Sequence, residues 1–174
     1  MLRGICIGLV SSVVIALGID VANATAESRT SDEAAITAIE KEMAAAQTVD
    51  GVVRSWDENV VWYDLMPAEV HGSKAARERF DEQFKGVTNL RTKILRMSVR
   101  TEGNMGYAYS TQEFISDVPK GGPGLDFIFR ETDLFIKKAG KWRLVHQHIS
   151  VPVDFATGKA VFSNVDPLTH PDGK

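Results

Sequence analysis

Residues 125–154, LDFIFRETDLFIKKAGKWRLVHQHISVPVD, constrain the fold more than any other stretch of the chain. Apolar and aromatic side chains alternate with polar ones on both sides of Lys138-Ala139-Gly140-Lys141, a pattern that reads as two long strands joined by a tight turn. Period two sorts the second strand into one face with Trp142, Leu144, His146, His148 and Ser150 and another with Arg143, Val145, Gln147, Ile149 and Val151. On the first strand Glu131 and Asp133 share a face with Phe129 and Phe135. Two imidazoles and a hydroxyl beside a tryptophan and a leucine are polar for plain core, so the first of these faces is expected to wall a pocket.

Around this hairpin, 174 residues suffice for one domain with a substantial core. The apolar fraction of 44% and the charged fraction of 25% are those of a globular protein. A formal net charge of -3 argues against a nucleic-acid surface, which needs a clustered basic excess.

The N-terminus reads as an export signal over residues 1–24. Arg3 precedes an apolar run over 5–19, and Ala22-Asn23-Ala24 supplies a small-residue cleavage site. Ala24-Thr25-Ala26 offers a second frame, so cleavage is expected after Ala24 or Ala26. The run is shorter than the roughly 20 residues that a span needs, so no stable membrane anchor is expected after cleavage and the protein is expected to be secreted or periplasmic. The single cysteine, Cys6, falls within this signal, so the mature chain has no thiol for disulfides or thiolate metal sites.

After a linker at 25–31, one domain is expected over 32–154. Thr30-Ser31-Asp32-Glu33 reads as a capping box ahead of a helical stripe of Ile36, Ile39, Met43 and Ala46. A second short helix opens at Asp50 and carries Val52, Val53 and Trp56. NVVWYDL, residues 59–65, reads as a strand, and Gly72-Ser73 opens a third helix with Ala76, Phe80, Phe84 and Val87 on one side. Strands follow at 90–101 and 105–118, a loop at 119–124, then the hairpin. A short hairpin and a loose tail occupy 155–174. Consecutive strands with short connections give an antiparallel meander, and three early helices can cover one face of it. The expected architecture is an α+β cone-shaped half-barrel, a strongly bent antiparallel sheet packed on three N-terminal helices.

The strand VVWYD followed by HGSKAARERF, and the ending GKWRLVHQHISVP, resemble the SnoaL-like, nuclear-transport-factor-2-like superfamily, which includes ketosteroid isomerase. YAYSTQ at 107–112 and the segment 131–150 are most similar to the association domain of calcium/calmodulin-dependent protein kinase II. The resemblance covers 33–154. By an ungapped alignment the pocket arginines of the kinase domain fall on Tyr109 and Asp133, so an anion site does not carry over. Homodimerisation through the outer sheet face is implied by the fold.

The resemblance implies an isomerase- or cyclase-like proton transfer next to a carbonyl, needing no cofactor. Asp64, at the end of the first strand, is the candidate base, with Tyr109 or His148 polarising the oxygen. An alternative role for Asp64 is to cap the turn before Pro67. The expected pocket adds Trp62, Tyr107, Glu131, Asp133, His146 and Ser150, and its ligand is a small apolar or carbonyl-containing molecule. His146 and His148 with a carboxylate from Asp64 or Glu131 have the composition of a metal site, but the glutamate that follows such a pair in cupins is missing and no metal is expected. Ser150 lacks the turn motif of a hydrolase nucleophile. The rival class is a non-catalytic ligand-binding or oligomerisation module.

Overall fold

The computed structural model describes residues 11–66, 69–117 and 124–162, with side chains from residue 27 onward. The loop expected at 119–124, apart from Gly124, and the tail beyond Phe162 lie outside the described residues.

Helix α1 spans Ser11–Ala45, α2 spans Val49–Val52, and a single 3-10 turn, Val53–Ser55, leads into strand β1, Trp56–Tyr63. The expected linker and the capping box at Thr30 are inside α1. No glycine or proline stands between Thr25 and Ala35 to stop a helix, so the local cap signal does not act as a start. Thr48, and not Asp50, caps α2, its hydroxyl accepting from the Gly51 N–H at 3.1 Å. Among the described residues no helix is long and apolar enough to cross a membrane.

The chain continues through β2 (Glu69–His71), α3 (Ser73–Gln83), β3 (Thr88–Glu102), β4 (Met105–Asp117), β5 (Leu125–Lys138) and β6 (Lys141–Ser150). These strands form one sheet in the order β2-β1-β6-β5-β4-β3. The meander β3 to β6 is antiparallel, as the alternation predicts. β1, however, lies parallel to β6, so the sheet is mixed. After β1 the chain turns back as β2 and crosses by α3 to the opposite edge. The free edge of β1 is thereby left for β6, which returns in the same direction. The sheet ends at β2 and β3 and does not close into a barrel. Strands β7 (Val153–Asp154) and β8 (Lys159–Ala160) make the small terminal hairpin.

Alternation fills the inner face of the sheet in rows. The register places Trp56, Leu144, Phe135 and Gly106 in one row. Next come Trp62, Gln147, Asp133, Ala108 and Val99, then Ile149, Glu131, Ser110 and Met97, then Phe129, Gln112 and Ile94, and last Phe127 and Phe114. A polar belt thus runs between two apolar layers.

Helix α1 lies over this face and turns Asp32, Ile36, Glu40 and Met43 inward, at spacings of four, four and three. Its approach depends on Gly106, where a Cβ would come within 2.4 Å of Ile36 Cδ1. Asp32 fixes one end by accepting from Lys137 Nζ at 2.6 Å and from Trp142 Nε1 at 3.1 Å. Trp56 Nε1 meets Met43 Sδ near the other end. Helix α3 stacks Phe80 on Trp62, with centroids 4.5 Å apart, and sets Phe84 against Phe114.

Candidate functional site

A bulge in β6 decides what faces the interior. β5 pairs Phe135 with Leu144 and Leu134 with His146, which leaves Val145 as an extra residue on β6. One inserted residue reverses the phase of every side chain beyond it. Trp142 and Leu144 point inward as expected, but from there the inward residue is Gln147, 4% exposed. His146, His148 and Ser150 are turned to the outer face. There the His146 and His148 rings flank Tyr63 at 5.0 and 5.8 Å, and His146 Nδ1 lies 2.9 Å from the carbonyl of Val61. Strand β4 sorts the other way from a tyrosine-lined interior. Tyr107 and Tyr109 stack on each other outside the sheet, 42% and 54% exposed. The inner positions of β4 beneath α1 are Gly106, Ala108 and Ser110, because a helix lying this close leaves no room for larger rings.

The acids gathered beneath α1 are therefore Glu131 and Asp133 from β5 and Glu40 from α1 itself. Glu40 and Asp133 are each 1% exposed and Glu131 is 8% exposed. One oxygen from each carboxyl lies within 4.8 Å of the other two, a spacing that would also admit a hard cation. Glu131 Oε1 accepts from Gln112 Nε2 at 2.7 Å, and the same amide nitrogen donates to Ser110 Oγ at 2.9 Å. Asp133 Oδ2 accepts from Gln147 Nε2 across a longer 3.5 Å. Glu40 Oε1 and Asp133 Oδ1 have no hydrogen-bond partner in the described structure.

Three carboxylates at this spacing repel one another, and removal from water opposes each charge. Burial pushes Glu40 up to about 7. Glu131 rises to about 8, from burial first and then from the neighbouring charge of Glu40. Burial, followed by Glu131 and Glu40, holds Asp133 well above the usual carboxylate range. Near neutrality the cluster keeps protons and shares them, which is the state a group needs to give and take protons at working pH.

Of the residues expected from sequence, Trp62, Glu131 and Asp133 come together on the inner face. Tyr107, Tyr109, His146, His148 and Ser150 do not join them. Tyr109 pairs with Thr132, one position from Asp133, and so lies on the opposite side of the sheet from that acid. Asp64 sits just past the end of β1, where Oδ1 accepts from the Leu65 N–H and Oδ2 from Gln83 Nε2. This is the turn-capping role. Glu40, the third acid of the cluster, is absent from the residues expected from sequence, although it lies between Ile36 and Met43 on the helical stripe.

A separate open cavity of about 460 Å³ is lined by Gln47, Asn89, Leu90, Arg91 and Asp117. It lies at the far end of β4, about 23 Å along the strand from Ser110 at 3.3 Å per residue. Its Asn89 and Asp117 are paired with each other.

The sequence profile of SnoaL-like domains matches residues 33–154. No curated protein matches the chain at a significant level. Among solved structures, an NTF2-like protein of unknown function from Pseudomonas putida KT2440 superposes with a TM-score of 0.69 at 20% identity, covering 79% of this chain and 98% of that one. A ketosteroid isomerase-like protein from Erwinia carotovora atroseptica gives 0.60 at 18% identity, covering 68% and 95%. A candidate scytalone dehydratase from Novosphingobium aromaticivorans gives 0.65 at 10% identity, covering 79% and 91%. At these identities the likeness shows the fold.

Proposed function

The chain belongs to the family of SnoaL-like domains, and on that premise we propose that it is an exported protein that moves a proton next to the carbonyl of a small molecule held against the inner sheet face. The observation that carries this reading is the buried cluster of Glu40, Glu131 and Asp133 beside an aromatic wall of Trp62, Phe80, Phe84, Phe114 and Phe129. Glu131 is the most exposed of the three acids and takes the role first given to Asp64. In its ionised form it removes the proton on the carbon next to the carbonyl. Asp133, kept neutral by burial and by its acidic neighbours, donates a hydrogen bond to the oxygen as charge builds there. Return of the proton from Glu131 to carbon completes an isomerisation in which no atom is lost and no cofactor is consumed. The neighbours named for ketosteroid isomerase and scytalone dehydratase are in keeping with proton chemistry on this fold.

The outer face supports a second reading of that surface, as the contact between two copies. Tyr63, Met105, Tyr107, Tyr109 and Leu134 are all more than one-third exposed on it. Deuterium exchange on a panel of ketones, with and without a metal chelator, tests the activity. The expected result is exchange that survives the chelator and falls at least 100-fold in Glu131→Gln; a variant that retains the full rate would overturn the assignment.

A further inference from the structure

Two buried glutamines treat the two β5 acids unequally. Gln112 is 3% exposed, and both hydrogens of its amide nitrogen are committed, one to Glu131 Oε1 at 2.7 Å and one to Ser110 Oγ at 2.9 Å. The serine hydroxyl, itself 8% exposed, accepts the second amide hydrogen. Gln147 reaches Asp133 only at 3.5 Å, beyond the usual range of a strong hydrogen bond. A donor close to a carboxyl favours its anion, and the bond strengthens as charge develops.

We infer that Gln112 is the positioning residue of this site: its short hydrogen bond makes Glu131, and not Asp133, the ionised base, and by occupying Oε1 it leaves Oε2 as the oxygen that takes the proton. Asp133, reached by Gln147 only across 3.5 Å and set among Glu131 and Glu40, stays neutral and serves as the donor. The charged groups that face Glu131 are Glu40 from α1, whose charge opposes its ionisation, and Asp133 from its own strand, whose hydrogen bond favours it. Against burial and the charge of Glu40, the Gln112 hydrogen bond is the larger of the two that favour the anion. When Glu131 removes a proton, the C–H bond breaks, an O–H bond forms at Oε2, and the charge held by the amide passes to the substrate oxygen facing Asp133. This inference rests on the reading of Glu131 as the acid–base group that meets substrate.

The test is a carbon-13 NMR titration of the side-chain carboxyls in the folded full chain, which needs no substrate. Gln112→Met keeps the volume and removes the donor. The expected result is a Glu131 midpoint raised by about one pH unit, a tenfold gain in proton affinity, while Gln147→Met leaves the Glu131 midpoint in place. Ser110→Ala frees the amide without removing it, and a smaller shift in the same direction is expected; it also serves if Gln112→Met does not fold. An unmoved Glu131 midpoint in both Gln112→Met and Ser110→Ala would overturn the inference, as would equal shifts from the two glutamine variants. If the midpoints move as expected but no ketone exchanges its protons, the sorting of protons stands and the proposed reaction fails.

Discussion

Ile36 of α1 lies directly over Gly106 of β4, so close that any side chain at the glycine would enter the space of the isoleucine δ-methyl. This contact sets the height of the helix above the sheet, and Glu40 sits one turn further along the same helix face. Gly106→Ala is expected to cost about 1–3 kcal/mol through overpacking. Ile36→Ala in the same background should restore part of the loss. A double-mutant cycle in urea checks this, and a coupling of less than about 0.5 kcal/mol would mean that the two residues do not share the space.

The buried acids predict how stability depends on pH. Glu40 and Glu131 titrate near 7 and 8 in the folded protein and near 4.5 when unfolded, so the folded state holds more protons between these values. Their contribution is fully present below about 4.5 and is lost as pH rises through 7 and 8. Asp32 and Asp57 act in the opposite sense. Lys137 and Lys138 hold their carboxyls below the usual range, so their contribution is present above 3.8 and is lost as the pH falls. Urea midpoints are expected to be highest near pH 5 and to decline toward pH 8.5. Glu131→Gln should flatten the alkaline decline and leave the acid limb unchanged.

Residues on the outer face are expected to be dispensable for chemistry. His148→Ala and Ser150→Ala should change stability by less than about 0.5 kcal/mol and leave ketone exchange at the parent rate. A large loss of exchange in either would restore the histidine face as the reactive one.

Deleting Val145 tests the bulge that separates the two faces. The shortened strand would run directly from Leu144 to His146, so strict alternation would keep Gln147 inward and His146, His148 and Ser150 outward. The expected cost is below about 3 kcal/mol, because the inward residues keep their partners across β5. A larger loss would show that Val145 does more than shift the phase of β6.

Much of this arrangement was legible in the residues. The parity of Phe129, Glu131, Asp133 and Phe135 on β5 put both acids on a face shared with phenylalanines, and that grouping survives because no irregularity interrupts the strand's pairing with β4, although parity alone does not say which face is the inner one. β6 misled because a single inserted residue is invisible to a count of period two. Its trace is present all the same: the apolar residues move from even to odd positions between Leu144 and Val145, and remain odd at Ile149 and Val151. Glu40 was harder to find, because one acid in an apolar stripe is also what an exposed helix edge looks like. Only the tertiary approach of α1 to β5 distinguishes the two. The parallel placement of β1 was not legible at all, since the meander says nothing about which edge receives a strand from far upstream.

That placement has a consequence for the order of assembly. The hairpins from β3 to β6 join neighbours in sequence, whereas Trp56 and Leu144 must find each other across nearly the whole domain. Closing so long a loop is slow compared with zipping a hairpin, so β1 is expected to dock late. Before it docks, Asp133 and Gln147 would lack the cover of Trp62 and the acids would stay wet. Proton uptake at neutral pH is then the expected mark of the last strand's arrival.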